Sequence, residues 1–189
     1  VTDDNRFQFI GGTDACQTAT RRTADGGQTW AAAGNWSGWY RSPGNPVQVV
    51  TAVDRTVTPC ATAAVVDVQS VSQTTAHVLC ATSKLLETAD GGTNWVDASK
   101  ALEVMAVDDN QVNGKAVATI AYRTDSCPGL QIGTLTGATL AKLGCAELGS
   151  ATPELGSVAV AARGPQVWLL VGTGVWLSGD GGTTWAAAG

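Results

Sequence analysis

The sequence predicts an all-β chain of about four repeated units, each of four antiparallel strands, with the first unit incomplete. Three observations carry that expectation. The chain is rich in glycine and poor in charge. Its apolar stretches are short. One octapeptide recurs in phase along it.

Composition sets the class. Of 189 residues, 44% are hydrophobic and 14% charged, where charged residues usually make up about a quarter of a soluble domain. Polar surface must therefore come from Thr, Ser, Asn, Gln and Gly. Twenty-three glycines imply many tight turns, which suit short strands better than long helices. Apolar runs are broken by Asp, Thr or Gly about every eight residues, and none nears the roughly 20 residues of a membrane span. Net charge is −5, with Arg and Lys scattered. That pattern offers no footprint for nucleic acid or an anionic bilayer. The chain begins at Val1 rather than Met, as expected of a mature form or a piece of a longer polypeptide.

The repeat consists of residues 23–30 (TADGGQTW), 88–95 (TADGGTNW) and 178–185 (SGDGGTTW). Each reads Ser/Thr-x-Asp-Gly-Gly-x-Thr/Asn-Trp. The last two are about 90 residues apart, two periods of about 45, which is the length of a four-stranded propeller blade. One period beyond Trp95, residues 133–140 keep Gly137 and Thr139 without Asp or Trp, as a decayed copy would. The first two copies are about 65 residues apart, so that period carries an insertion of about 20. The chemistry suits a hairpin. The carboxylates of Asp25, Asp90 and Asp180 can accept backbone N–H groups of the turn, as can the Ser or Thr hydroxyl. The glycine pairs ending in Gly27, Gly92 and Gly182 supply positive φ. Trp30, Trp95 and Trp185 open the outgoing strand and cover the hairpin.

These segments resemble the Asp-box, or BNR repeat (S-x-D-x-G-x-T-W), of sialidases, sortilin-type receptors, some endoglucanases and photosystem assembly factors of the Ycf48 kind. The resemblance spans essentially the whole chain and implies a β-propeller. It also implies that each box joins the two outer strands of a blade, away from the central site. Asp25, Asp90 and Asp180 are then turn-forming rather than catalytic.

Phasing predicts blades at about 1–46, 47–99, 100–148 and 149–189. Residues 64–71, 76–80, 84–88 and 94–97 supply the strands of the second. Residues 102–107, 115–122, 130–135 and 139–143 supply the third, and 156–161, 166–171, 174–177 and 184–187 the fourth. The first offers only 6–10, 19–22 and 29–33. Its leading residues 1–5 read like the end of the third inner strand at 107–110. The chain is thus expected to start inside an inner strand that upstream residues, another chain or a closing segment completes.

Five cysteines contain no C-x-x-C pair, and His77 is the single histidine. That argues against a zinc site and for disulfides in an oxidising compartment. Cys16, Cys80 and Cys127 each fall about 14 residues before the Trp or Leu of their box, at the end of a second strand. Cys60 precedes the neighbouring inner strand, so Cys60–Cys80 is expected. Cys145 closes an outer strand at the same end as Cys127, so Cys127–Cys145 is expected too. Cys16 is then left with a partner upstream of Val1, or as a buried thiol.

The insertion gathers Trp36, Trp39, Tyr40 and Arg41 in a Gly/Pro-rich stretch, with Asn35-Trp36-Ser37 a glycosylation sequon. Such aromatics stack on a sugar, anchor a protein partner, or cover a blade edge. Asp108-Asp109 is expected on a solvated loop between strands. Of the acids, Asp67 and Asp54 are conceivable as a glycosidase pair, but no spacing signal links them. The sialidase arginine cluster and its F/Y-R-I-P segment are missing from these residues. The expected function is a non-catalytic binding or assembly scaffold of the extracellular space or cell envelope, periplasm-like or lipid-anchored. It takes a protein or glycan partner and needs no cofactor or metal. The alternative is a segment of a glycoside-hydrolase propeller.

Overall fold

The structure, a computed structural model, describes residues 5, 7–14, 17–34, 38–112 and 115–188. The chain is an all-β propeller-type array of five antiparallel sheets rather than about four. The first sheet is β1 (Phe7–Gly12), β2 (Thr18–Thr23) and β3 (Ala31–Ala32). The second is β4 (Tyr40–Arg41), β5 (Val49–Val50) and β6 (Thr56–Val57). The third is β7 (Val65–Ser70), β8 (Ala76–Cys80), β9 (Leu85–Thr88) and β10 (Val96–Asp97). The fourth is β11 (Glu103–Val112), β12 (Lys115–Thr124), β13 (Cys127–Thr136) and β14 (Thr139–Ala146). The fifth is β15 (Val158–Arg163), β16 (Gln166–Val171), β17 (Gly174–Ser178) and β18 (Ala186–Ala188). In each sheet the strands lie in chain order.

The additional sheet is the insertion. A turn over 42–46, rich in Pro and Gly, folds β4 back on β5, closed by Ser42 N–H donating to the Gln48 carbonyl at 2.9 Å. Asp54, at φ 58°, turns β5 into β6. Val49 between them is fully buried. Strands two residues long carry no legible alternation, and so the sequence reads them as a loop. The expected boundary at 46/47 falls inside this sheet.

Among the described residues the first sheet has three strands. The Gly26 N–H donates to the Asn5 carbonyl at 2.9 Å. The same latch joins Gly91 to Thr74 at 2.9 Å and Gly181 to Pro165 at 2.7 Å. Thr74 and Pro165 lie in the turn between the first two strands of their sheets. By that equivalence β1, β2 and β3 match the last three strands of a blade.

From the second sheet to the fifth, neighbouring sheets stack face to face. Trp39 and Val49 of the second sheet pack with Val65, Ala76 and Val78 of the third. Leu79 and Leu85 of the third meet Val104, Ile120 and Leu135 of the fourth. Met105, Leu130 and Ile132 on the fourth sheet's other face meet Val160, Leu169 and Trp176 of the fifth. Each fully buried side chain of this size contributes about 1.5–3 kcal/mol. The third and fourth sheets thus each have two apolar faces, one toward each neighbour.

Disulfides Cys60–Cys80 and Cys127–Cys145 are both formed, with Cα atoms 5.6 and 5.7 Å apart. Cys80 ends β8, but Cys127 starts β13 rather than ending the strand before it, because β12 runs on to Thr124. Cys16 lies outside the described residues.

Candidate functional site

The three octapeptides form one repeated turn. Thr88 Oγ1 donates to Asp90 Oδ1 at 2.9 Å and accepts the Gly92 N–H at 3.0 Å. Asp90 Oδ1 accepts the N–H groups of Thr93 and Asn94, each at 2.9 Å, while Oδ2 accepts Asn94 Nδ2 at 2.7 Å. In the third copy Asp180 takes Thr184 N–H at 2.9 Å and its hydroxyl at 2.6 Å. In the first, Asp25 takes the equivalent pair from Thr29 at 2.9 and 2.6 Å. Bonds to the ionised form hold all three carboxyls at about 2, below the ordinary 3.8. The largest contribution comes from the Thr29 hydroxyl for Asp25, the Asn94 N–H for Asp90 and the Thr184 hydroxyl for Asp180. Gly91 and Gly92 sit at φ 72° and 83°, a region other residues enter only with strain. Gly137, where the copy is degenerate, keeps positive φ (53°) inside a direct hairpin pairing Thr136 with Thr139. Each of these carboxylates is held by the donors of its own turn.

The insertion residues gather elsewhere. Tyr40 and Arg41 on β4 border a cleft of about 520 Å³ with Asp67 and Val68 of β7 and the end of β1. Trp39 also lines it. This indole is 6% exposed, donates from Nε1 to the Ser72 carbonyl at 3.1 Å, and stacks edge-on against Trp95 with centroids 6.0 Å apart. Such burial fits the blade-covering role, while Tyr40 is half-buried and Arg41 exposed. The Arg41 guanidinium donates to the carbonyls of Val65 and Val66 at 3.1 and 3.3 Å. The pairing of β7 with β8 slips there, between Val65 and Asp67, which frees those carbonyls for the guanidinium. Trp36 lies outside the described residues.

Asp67 is the carboxylate of this cleft. It accepts the Val68 N–H at 2.7 Å and Gln69 Nε2 at 3.2 and 3.3 Å. Burial raises its pKa, against the pull of those bonds and of Arg41. Nearby Asp108 adds to the rise. Asp108 is itself raised, chiefly by burial, while it accepts the Ala162 N–H at 2.8 Å and Asn110 Nδ2 at 2.9 Å. Asp54 lies on the exposed β5–β6 turn and takes no part.

Asp108 and Asp109 are not on a solvated loop. They belong to β11, which continues to Val112. Asp109 has no exposed side-chain surface and faces His77 of β8, itself 4% exposed. His77 Nδ1 lies 2.8 Å from Oδ1 and 2.9 Å from Oδ2, with hydrogen-bond geometry to Oδ2. Sequence reasoning missed this pair. The signal was Asn113-Gly114, the strongest two-residue hairpin dipeptide, which puts the strand end beyond Asp109. Among the described residues no group of three or more His, Cys, Asp or Glu is placed to hold a metal ion, and no helix is long and apolar enough to cross a membrane.

No family model matches the chain, and no curated protein does. Solved structures do. One is a YCF48 bound to a D1 peptide, at 16% identity and TM-score 0.43, covering 98% of this chain and 79% of that one. Another is the GH74 enzyme of Niastella koreensis, at 12% and 0.49, covering 97% of this chain and 36% of the enzyme. A third is the GH74 xyloglucanase of Xanthomonas campestris, at 15% and 0.45, covering 98% and 36%. This chain thus spans about a third of the length of those two enzymes.

Proposed function

We propose that the chain is a non-catalytic binding scaffold of the extracellular space or cell envelope, and that its ligand surface is the cleft between β1, β4 and β7. The observation that carries this is the convergence of Tyr40 and Arg41 of β4 with Asp67 of β7 on one concave surface. An aromatic face, a guanidinium and a carboxylate together suit a polar, extended ligand. A polypeptide segment fits best, since such a ligand offers amides and both signs of charge to these groups. Two disulfides favour an oxidising location. Titration of immobilised peptide and glycan libraries tests the reading. Asp67→Asn and Tyr40→Ala are expected to weaken peptide binding by about tenfold or more each. Binding that survives both substitutions sinks it.

One observation favours the second reading, a glycoside hydrolase. Asp67 and Asp108 stand on adjacent inner strands, and both have raised pKa values. Against it, both oxygen-rich ends are engaged by backbone and side-chain donors of the fold. Turnover of a fluorogenic glycoside, abolished by Asp67→Asn, would establish catalysis in place of the scaffold.

A further inference from the structure

The cleft between β1, β4 and β7 holds a carboxylate whose charge the fold does not pair. Asp67 is half-buried and takes three bonds from two neutral donors, the Val68 N–H and the Gln69 side-chain amide. Two of these bonds end on Oδ1, and Oδ2 has only the Gln69 contact at 3.2 Å. An ionised carboxylate offers about four acceptor positions. Among the described residues, Asp67 forms no ion pair. Arg41 attracts it from the rim of the same cleft but commits Nη1 to the Val65 and Val66 carbonyls. Asp108 adds a second negative charge nearby. A partly desolvated charge without a counter-ion is costly to the fold, and a cation brought by a ligand relieves that cost.

The walls narrow the kind of cation. Ile10, Val66 and Val68 line the cleft together with Asp67 and Tyr40. Apolar walls beside a carboxylate suit a group with an aliphatic stem and a charged tip, because the stem packs while the tip is paired. A tyrosine ring attracts a cation held within about 6 Å of its centre. A bare metal ion gains nothing from valine and isoleucine walls. The net charge of −5 adds a long-range pull on cations. Arg41 keeps N–H groups on Nη2 and Nε for an acceptor that arrives with the same ligand.

We propose that a basic side chain of the peptide ligand, lysine or arginine, occupies this cleft, with its stem against Val66 and Val68 and its charge on Asp67. Arg41 donates to a main-chain carbonyl of the ligand beside it. This inference rests on the reading of the cleft as a peptide site and adds the residue class that the site selects.

Fluorescence-anisotropy titration of the whole chain tests it. The probes are labelled octapeptide pools, random but free of charged residues except at one fixed central position. That position holds Lys, Arg, norleucine, citrulline or Glu. Norleucine and citrulline keep the stem and remove the charge. The Lys and Arg pools are expected to bind at least ~10-fold more tightly than their neutral counterparts, with the Glu pool weakest. In Asp67→Asn the ratio is expected to fall to about twofold or less, with thermal melting as the check on folding. The comparison between pools needs no variant and stands whether or not Asp67→Asn folds. Equal binding of charged and neutral pools, or a preference for Glu, overturns the inference and leaves the peptide reading intact. A preference for basic pools that a folded Asp67→Asn retains places the cation on another surface and overturns it as well. Binding of no pool at all overturns the peptide reading, and this inference with it.

Discussion

At the scale of single residues, the structure separates two kinds of carboxylate. Asp25, Asp90 and Asp180 are stabilised as anions by a fixed set of turn donors. Their pKa values lie at about 2 in the fold against 3.8 ordinarily. A depressed pKa contributes stability that is fully present above about pH 4 and is lost as pH falls toward 2. Asp67 and Asp108 work in the opposite direction, since their raised values mean that protonation relieves the cost of burial. Urea denaturation at a series of pH values checks the first group. Asp90→Asn is expected to be less stable than wild type at pH 7, with a shallower loss between pH 4 and 2. Parallel curves for the two proteins count against the assignment. His77 and Asp109 form a different unit, buried and mutually dependent. His77→Ala leaves the buried Asp109 side chain without its hydrogen-bond partner and is expected to cost about 1–3 kcal/mol by chemical denaturation. A cost under ~1 kcal/mol shows that water reaches Asp109.

At the scale of elements, the inserted sheet is the least self-sufficient part. Its three strands are two residues long, too short to hold together as an isolated ladder. Trp39 anchors it, through the Ser72 carbonyl and the Trp95 ring. Trp39→Ala is expected to destabilise the chain by about 3–5 kcal/mol. Hydrogen exchange should show the amides of 40–57 losing protection before those of the fourth sheet, whose strands run eight to ten residues. Equal protection in both regions would contradict the anchoring role. The same element explains why the blade count was illegible. Period counting finds a sheet through its octapeptide, and this one has none. Its residues read as an insertion because pairing of Tyr40 with Val50, and of Val50 with Thr56, leaves no periodic trace in so few residues.

At the scale of the whole molecule, stacking of sheet on sheet is the organising interaction. It places β4 beside β7, and so brings Tyr40 and Arg41 to Asp67 across more than twenty residues of sequence. The sequence carries half of the candidate site: the aromatic cluster with Arg41 stands out as the one stretch the repeat does not explain. Asp67 was visible only as a carboxylate on an inner strand, because its partner in the cleft comes from another sheet.

The sequence by itself determined the all-β class, the octapeptide hairpins and both disulfide pairings. Each of these depends on local chemistry or on a repeat period, and both are written along the chain. Only the tertiary structure decided that the insertion is a fifth sheet, that Trp39 is buried rather than presented, and that Asp109 pairs with His77. Those outcomes depend on which faces meet, and burial between sheets is settled by contacts that no single stretch of sequence contains.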